Sequence, residues 1–578
     1  MKASVVPMLV LSAAIASAQP QLRSENPVVN GASYSNLIAP GSIFVVFGTN
    51  LAGESVVLAP SLPLTTTLGG VSIRFTPVGG GAPIDCYMVY TTRNQIAGLL
   101  PSSAAPGDYN VTVTYNNQTS PPGRARVVAR SIGIVSADAS GGGQAQAQVF
   151  PPNSRDWTLN RYTGGRLGNF ILGVAHPGDR IDLWGTGLGA DAASDPTGGT
   201  SGDRTLAAQV RVRVGDREFT PAYAGRASQL PGTDQIVFIL DENVPTGCHV
   251  PVQVLAEGTA SNVVTLAIAP RGQEACTHPF LSTDQLRRLS EGGGVVLGAF
   301  ILSRTTSAVT APGLGSFEMT TDSVGGEFAR YSVGSLGGFG DSSAEYSNLI
   351  GRCLVYRFRG REEPPRFSPP VPLDAGNSLR LNGPNANNVE VPRGESNYYS
   401  ATLYQSGIPG IPGSGSGAPV ITQGSYTLSG PGGADIGPFS ASVAVPPLFT
   451  WTNRDGINDV NRGQGLALTW TGGAGVMVIN GSSATRVGGT QNDPVFDGAV
   501  FVCFQNASAG NFTVPAAILS QLPASGDLAT GSGSGSLELV QSGPVEGGTF
   551  SAPLTAGGNI ERGQFLYSIV SSKTVNYR

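Results

Sequence analysis

The sequence predicts an all-β protein: two tandem immunoglobulin-like β-sandwiches followed by a larger β-rich, sandwich-like domain with one short helix. Three observations predict it. Only 13% of the 578 residues are charged, while 81 are Gly and 42 are Pro, a composition poor in helix formers and rich in turn formers. Short runs of alternating apolar and polar residues, bounded by Gly and Pro, recur along the chain. The first half also repeats itself at a constant offset, the mark of a duplicated unit. Disorder is excluded, because 40% of residues are hydrophobic and the net charge is only -5. The same balance leaves no basic footprint for nucleic acid.

Residues 1–18 are expected to be a signal peptide. Lys2 supplies the positive start, Val5 to Ile15 the apolar run, and Ala16-Ser17-Ala18 the small residues before a cut after Ala18. The run is too short to span a bilayer core of roughly 30 Å, and no later stretch is apolar enough to span. The mature chain is therefore expected outside the cytoplasm, secreted or at the cell surface.

Two units follow, at 25–130 and 131–270. "IAPGSIFVVFGTNLAG" (38–53) recurs as "AHPGDRIDLWGTGLGA" (175–190), 137 residues further on. "GGVSIRF" (69–75) matches "AQVRVRV" (208–214), and "NQIAGLLP" (94–101) matches "DQIVFILD" (234–241). "APGDYNVTVTY" (105–115) matches "VPTGCHVPVQV" (244–254), and each unit closes with one more strand. That is enough short strands per unit for a small antiparallel sandwich.

Gly185, Gly187 and Ala190 in "IDLWGTGLGAD" fit the G-x-G-x-x-G/A fingerprint of a dinucleotide turn. Two facts oppose it. The first repeat carries Asn50 where the second has Gly187, and "ADAASDPTGGTSGD" after the turn cannot open a helix. No cofactor is expected. The motif is read as a turn between strands, with Phe47 and Trp184 packed inward before it. Asn is expected to replace Gly187 at little cost.

"VVNGASYSNLIAPGSIFVVFGTNLAG" with "LGGVSIRF" resembles the opening of an IPT/TIG-type immunoglobulin-like module, of a kind common in exported acidobacterial proteins. "GQAQAQVF", "HPGDRIDLWGTGLG" and "VPTGCHVPVQVLAEGTASNVVTLAIA" are similar to the same family in the second unit. The resemblance covers about residues 25–270 and implies a fold, with no activity and no catalytic residue. "NSRDWTLNRYTGGRLGN" (153–169) departs from the pattern and leaves the register there open.

Residues 278–578 are read as a β-rich domain, one unit or two. "STDQLRRLSEGGG" (282–294) predicts its helix, capped by Ser282 or Thr283 and ended by Gly292. Strand patterns follow in "GVVLGAFILSR", "GLALTWTGG", "GVMVING", "GAVFVCFQ" and "GSLELVQ", and "GIPGIPGSGSGAP" (407–419) is a flexible loop.

The search for chemistry yields little. His176, His249 and His278 lack the spacing of a zinc site. No G-x-S-x-G elbow or P-loop is present. Asn453, Asp455, Asn458, Asp459 and Asn461 are hard oxygen donors without EF-hand spacing, so a plain turn is preferred. No catalytic, cofactor-binding or metal-binding residue is named. Tyr398, Tyr399, Tyr404, Trp451 and Trp470 form either an aromatic face for sugar rings or part of a core.

Five cysteines stand in the expected export context. Cys248 begins a late strand, and Cys276 follows the strand that returns beside it, so a Cys248–Cys276 disulfide is expected. Cys353–Cys503 is expected within the third domain, and Cys86 as a buried free thiol.

The expected function is a non-enzymatic, exported binding, adhesion or spacer protein with a protein or glycan partner. The alternatives are a carbohydrate-binding protein acting through the third domain, by Trp451 or Tyr399, and a hydrolase with separate carboxylates in that domain.

Overall fold

Period-two alternation decides which face of each strand is buried, and the first half of the chain shows this twice. The computed structural model describes residues 19–199, 205–206, 209–311, 315–336, 350–360, 369–408, 413, 415, 417–489, 494–526, 530, 532–543 and 547–578. The expected leader 1–18 and part of the 407–419 loop lie outside them.

The first sandwich packs two sheets. One runs in the order Gln21–Leu22, Ile43–Thr49, Gln95–Leu99, Tyr87–Thr91, Val57–Leu58. The other runs Leu37–Ile38, Gly123–Val127, Gly107–Tyr115, Val71–Pro77, Ile84–Asp85. Phe44, Val46, Ile73, Phe75, Ile96 and Val111 fill the space between them.

The second sandwich repeats the plan and extends it. Its larger sheet runs Gly165–Leu167, Phe170–Gly173, Thr158–Asn160, Ala147–Phe150, Arg180–Thr186, Asp234–Ile239, Tyr223–Arg226. The departure at 153–169 thus supplies added edge strands. The facing sheet is built on Val210–Val214, Gly247–Ala256 and Val264–Ile268.

Phe47 and Trp184 do not pack inward. Phe44 and Val46 own the inner face of their strand, so Phe47 joins Val29, Val45 and Ala97 on the other side. Ile181 and Leu183 likewise occupy the core, which turns Trp184 outward opposite Gln235.

The third region opens with the helix Thr283–Ser290. The Ser282 side chain accepts from the Gln285 N–H and the Gln285 side chain accepts from the Ser282 N–H, a capping box. Gly292, at φ +88°, follows its end. A second, one-turn helix lies at Ala516–Leu519.

The main ten-stranded sheet is carried by two long hairpins, Val295–Ala311 with Gly315–Tyr331 and Val476–Gly489 with Pro494–Asn506. Gly533–Ser542 and Arg562–Thr574 lie between them, and Cys353–Gly360 forms one edge. A four-stranded and a three-stranded sheet accompany it, and one continuous core from Val296 to Tyr577 unites the region.

Both expected disulfides are present. Cys248 and Cys276 have Cα atoms 5.1 Å apart. Cys353 and Cys503 sit directly opposite on paired strands, 4.0 Å apart at Cα. Cys86 is a free, buried thiol, and burial raises its pKa well above the ordinary value. Non-reducing peptide mapping is expected to recover these two links, with Cys86 alkylated only after denaturation. Cys353→Ser should cost about 2–4 kcal/mol in urea melts. A link to Cys86 would contradict the pairing.

Candidate functional site

The glycine turn of the second sandwich lies at its joint with the first. Thr186 Oγ1 accepts from the Ile43 N–H at 2.9 Å and donates to the Gly232 carbonyl at 2.6 Å. Asn30 Nδ2 donates to the Ser131 carbonyl at 2.7 Å, and Ser131 Oγ to that of Leu37 at 2.7 Å.

Asp234, wholly buried, organises the turn. One carboxylate oxygen accepts from Arg226 at 2.6 Å and the other from the Leu188 N–H at 2.7 Å. The Gly187 N–H also bonds this carboxylate. The donors a phosphate would need are therefore committed to a carboxylate. Arg226 also donates to the Gly189 carbonyl at 2.8 Å, closing the turn from the other side. Burial pushes the Asp234 carboxyl up to about 6, with Arg226 and the two N–H groups pulling the other way.

The expectation that Asn replaces Gly187 cheaply is overturned. Gly187 has φ +104°, and a Cβ there would stand 1.9 Å from the Ser131 carbonyl oxygen. Asn50 of the first repeat sits at φ +56°, in the left-handed region Asn tolerates, so the two positions differ in backbone.

The joint to the third region gathers residues that sequence did not pair. The Tyr162 hydroxyl bonds His249 Nε2 at 2.9 Å, and the rings of His249 and His278 meet edge-on with centroids 5.6 Å apart. Both lie beside the Cys248–Cys276 link. His176 stands elsewhere, bonded to the Gln273 carbonyl at 2.8 Å. Among the described residues no three His, Cys, Asp or Glu side chains converge as a metal site would need.

The remaining candidates are the donor-rich segment and the aromatics of the third region, of which Tyr398 is exposed and Tyr404 half-buried. Asn453 Oδ1 accepts from Trp451 Nε1 at 2.9 Å and from the Thr469 N–H at 3.1 Å, while Asp459 pairs with Arg578 at 2.9 Å. Asn453 and Asp459 of the donor-rich segment thus serve the fold. Tyr399, Trp451 and Trp470 are buried in the core, so they offer no platform to a sugar.

Two carboxyls of the third region, Glu327 and Glu538, are raised by burial. Glu327 aligns through Ala299 with Gln564, and Glu538 aligns with Ser572 on the same strand. Eight residues of strand place them roughly 25 Å apart, beyond the ~5–10 Å of a glycosidase pair.

A surface cleft of about 700 Å³ borders Leu22, Pro27 and Arg124 of the first sandwich. Its other arginines are engaged, Arg126 with Asp108 at 3.0 Å and Arg23 with the Glu25 carbonyl at 2.7 Å.

The outer face of the larger sheet in the second sandwich is different. Leu167 opposes Phe170, Phe150 opposes Arg180, and Arg180 opposes Ile239. Trp157, one residue beyond its strand, continues the register between Phe170 and Phe150. The six side chains form one row across six strands. Trp157 and Phe170 touch, with ring centroids 6.2 Å apart, and the Arg180 guanidinium lies 3.7 Å from the centroid of Phe150. Phe170 is 46% exposed and Ile239 59%. The signal for this site was the departure at 153–169, which carries Trp157 and Leu167 and stops one residue short of Phe170.

No family model matches the chain, and no curated protein matches it. Among solved structures, SGBP-B of the Bacteroides ovatus mixed-linkage glucan utilization locus, in complex with a mixed-linkage heptasaccharide, aligns at 10% identity over 64% of this chain and 66% of that one, with a TM-score of 0.19. SGBP-B from a complex xyloglucan utilization locus in Bacteroides uniformis aligns at 10% identity over 67% and 86%, with a TM-score of 0.15. The N-terminal eight Ig domains of Down Syndrome Cell Adhesion Molecule align at 10% identity over 93% and 53%, with a TM-score of 0.13. The glucan and xyloglucan belong to those proteins.

Two outcomes follow from the first joint. Gly187→Asn should destabilise the chain by at least about 2 kcal/mol, from backbone strain and collision, seen as a lowered urea midpoint; an unchanged midpoint would contradict the close approach. The second concerns pH. Because the folded-state value of Asp234 lies above its ordinary one, the native state holds this proton more tightly than the unfolded chain does. Its contribution to stability therefore falls, by at most about 3 kcal/mol, as pH rises from about 4 to about 6, and is flat above. The stability of the wild type minus that of Asp234→Asn, from urea melts across this range, should show that fall. A rise instead would mean that the pair holds the carboxylate ionised.

Proposed function

We propose that this chain is an exported, non-enzymatic modular protein of the cell surface or extracellular matrix, which binds a partner and holds it at a fixed distance. The observation that carries this is the way its parts are joined. Partly buried hydrogen bonds of Thr186, Asn30 and Ser131 fasten the first sandwich to the second, and the Arg226–Asp234 pair holds the turn that carries Thr186. At the next joint, the Gln253 side-chain amide accepts from the Arg357 N–H at 3.0 Å and donates to its carbonyl at 2.6 Å. Arg213 donates to the Val355 carbonyl at 2.8 Å.

Such joints suit a spacer, since partly buried polar bonds resist bending more than a solvated linker does. The two disulfides favour an oxidising compartment, and no helix among the described residues is long and apolar enough to cross a membrane. The IPT/TIG-type resemblance of residues 25–270 belongs to the same reading. The carbohydrate alternative finds no support in Trp451 or Tyr399, and the hydrolase alternative none in Glu327 and Glu538.

Mature protein mixed with washed envelopes and matrix of the producing cells should sediment with them and release no reducing sugar or peptide ends. Failure to sediment, or steady release of new ends, would overturn the reading.

A further inference from the structure

We infer that the row Leu167–Phe170–Trp157–Phe150–Arg180–Ile239 is a binding site for a single extended chain of a neutral polysaccharide, laid across the strands. This rests on the surface-binding reading above and names its ligand.

The first ground is shape. Register places one side chain per strand, so the row crosses the strands in single file and follows the sheet surface. Six strands at their usual spacing make it roughly 25 Å long and one side chain wide, on the order of 200 Å². A stable protein interface needs about 800 Å² from each partner. The strip is too narrow for that and suits one file of sugar rings.

The second is chemistry. A pyranose ring has flat faces of C–H bonds and a rim of hydroxyls. Its face packs on aromatic and aliphatic surface, and its rim seeks amides and carboxylates. Trp157 and Phe170 supply partly exposed rings, and Ile239 an apolar end. Gln148 and Asp182 share this outer face one pair along the strands. The half-buried Gln148 amide has no hydrogen-bond partner among the described residues.

The third is charge. Arg180 is the one ion in the row, and it is neutralised within the face. Its Nε donates to Asp182 at 3.0 Å, and Gln235 donates to the other oxygen of Asp182 at 2.8 Å. Arg166 is paired with Ile171, one position off the row, and so belongs to the opposite face. A row without net charge selects a neutral chain over an acidic one.

The test is native gel electrophoresis of the full mature chain through hydroxyethylcellulose, glucomannan, galactomannan or arabinoxylan, with carboxymethylcellulose as the acidic counterpart. At least one neutral polymer should retard the protein more than the acidic one does. The double variant Trp157→Ala/Phe170→Ala should weaken that retardation about tenfold or more, whereas Trp157→Tyr, which keeps an aromatic face, should hold it within roughly threefold. Retained melting temperature in both variants separates lost binding from lost folding. Should the double variant melt early, quenching or blue shift of wild-type tryptophan fluorescence by the polymer must appear in its place.

Retardation by none of these polymers, stronger retardation by the acidic one, or retardation untouched by the double variant would overturn the assignment. So would a wild-type dimer that the double variant turns monomeric. Envelope sedimentation keeps the two readings apart. If the double variant sediments like wild type, the sugar row fails and the surface role stands. If wild type does not sediment, the surface role itself fails.

Discussion

The carboxylate of Asp234 is the interaction on which the first half of the molecule depends. Removing an aspartate and an arginine from water costs several kcal/mol per ion, offset in the measure that the remaining lone pairs and N–H groups find partners. Here one oxygen takes Arg226 and the other takes the Leu188 N–H, the second guanidinium nitrogen holds Gly189, and the guanidinium Nε alone is left without a partner. The pair thus fixes the turn that carries Thr186 and Gly187 against the first sandwich. The fit is backbone to backbone. A Cβ on Gly41 of the first sandwich would lie 2.9 Å from the Arg226 guanidinium. A glycine fingerprint that looked like a nucleotide cradle is a docking surface, and the anion it was shaped for belongs to the chain itself.

The same device recurs in the third region. Asp322, buried, takes both Nε and Nη2 of Arg304 at 2.6 Å. One of its oxygens also accepts the N–H groups of Val420 and Ile421 at 2.7 and 2.9 Å. That carboxylate pins the chain where it leaves the Gly-rich 407–419 stretch. A different problem arises at the edge strand Cys353–Gly360, since a bare edge invites pairing with other chains. The Gln253 amide occupies part of that edge by imitating a neighbouring strand at Arg357. Holding the domains together and protecting the sheet are therefore one contact.

Much of the fold was legible because duplication places the same turns at the same offset, and because alternation exposes a strand's two faces. It failed where alternation fails. "IFVVFGT" is apolar on both sides, so nothing local says that Phe44 and Val46 face the core and Phe47 does not; only the opposing sheet decides. The aromatics of the third region were ambiguous for a related reason. Tyr399 and Trp451 have the same local pattern whether a second sheet covers them or leaves them to solvent, and here they belong to the core. Glu327 and Glu538 needed the strand order, which sequence does not carry. The cysteine pairing was legible because a returning antiparallel strand brings its end beside its neighbour's start.

The row on the second sandwich follows from the duplication as well. By the offsets of the repeat, Arg180 and Ile239 correspond to Ile43 and Leu99 of the first sandwich, and each pair sits opposite on its own sheet. In the first sandwich that place is closed. A Cβ on Gly232 would come within 2.7 Å of Leu99 and 2.8 Å of Ile43, so the next module covers it. In the second, a guanidinium lies over Phe150 where the isoleucine would be, and the inserted strands carry Trp157 and Phe170 up to it. Another sandwich cannot seat there as the second seats on the first, because the flat apolar spot its glycine loop requires is filled. The third region joins instead through Cys276, Tyr162 and Gln253, and meets this face only at its far end, where Leu167 lies beside Gly292. A surface that serves in one copy to bind the next module has thus been released in the other, lengthened, and left open.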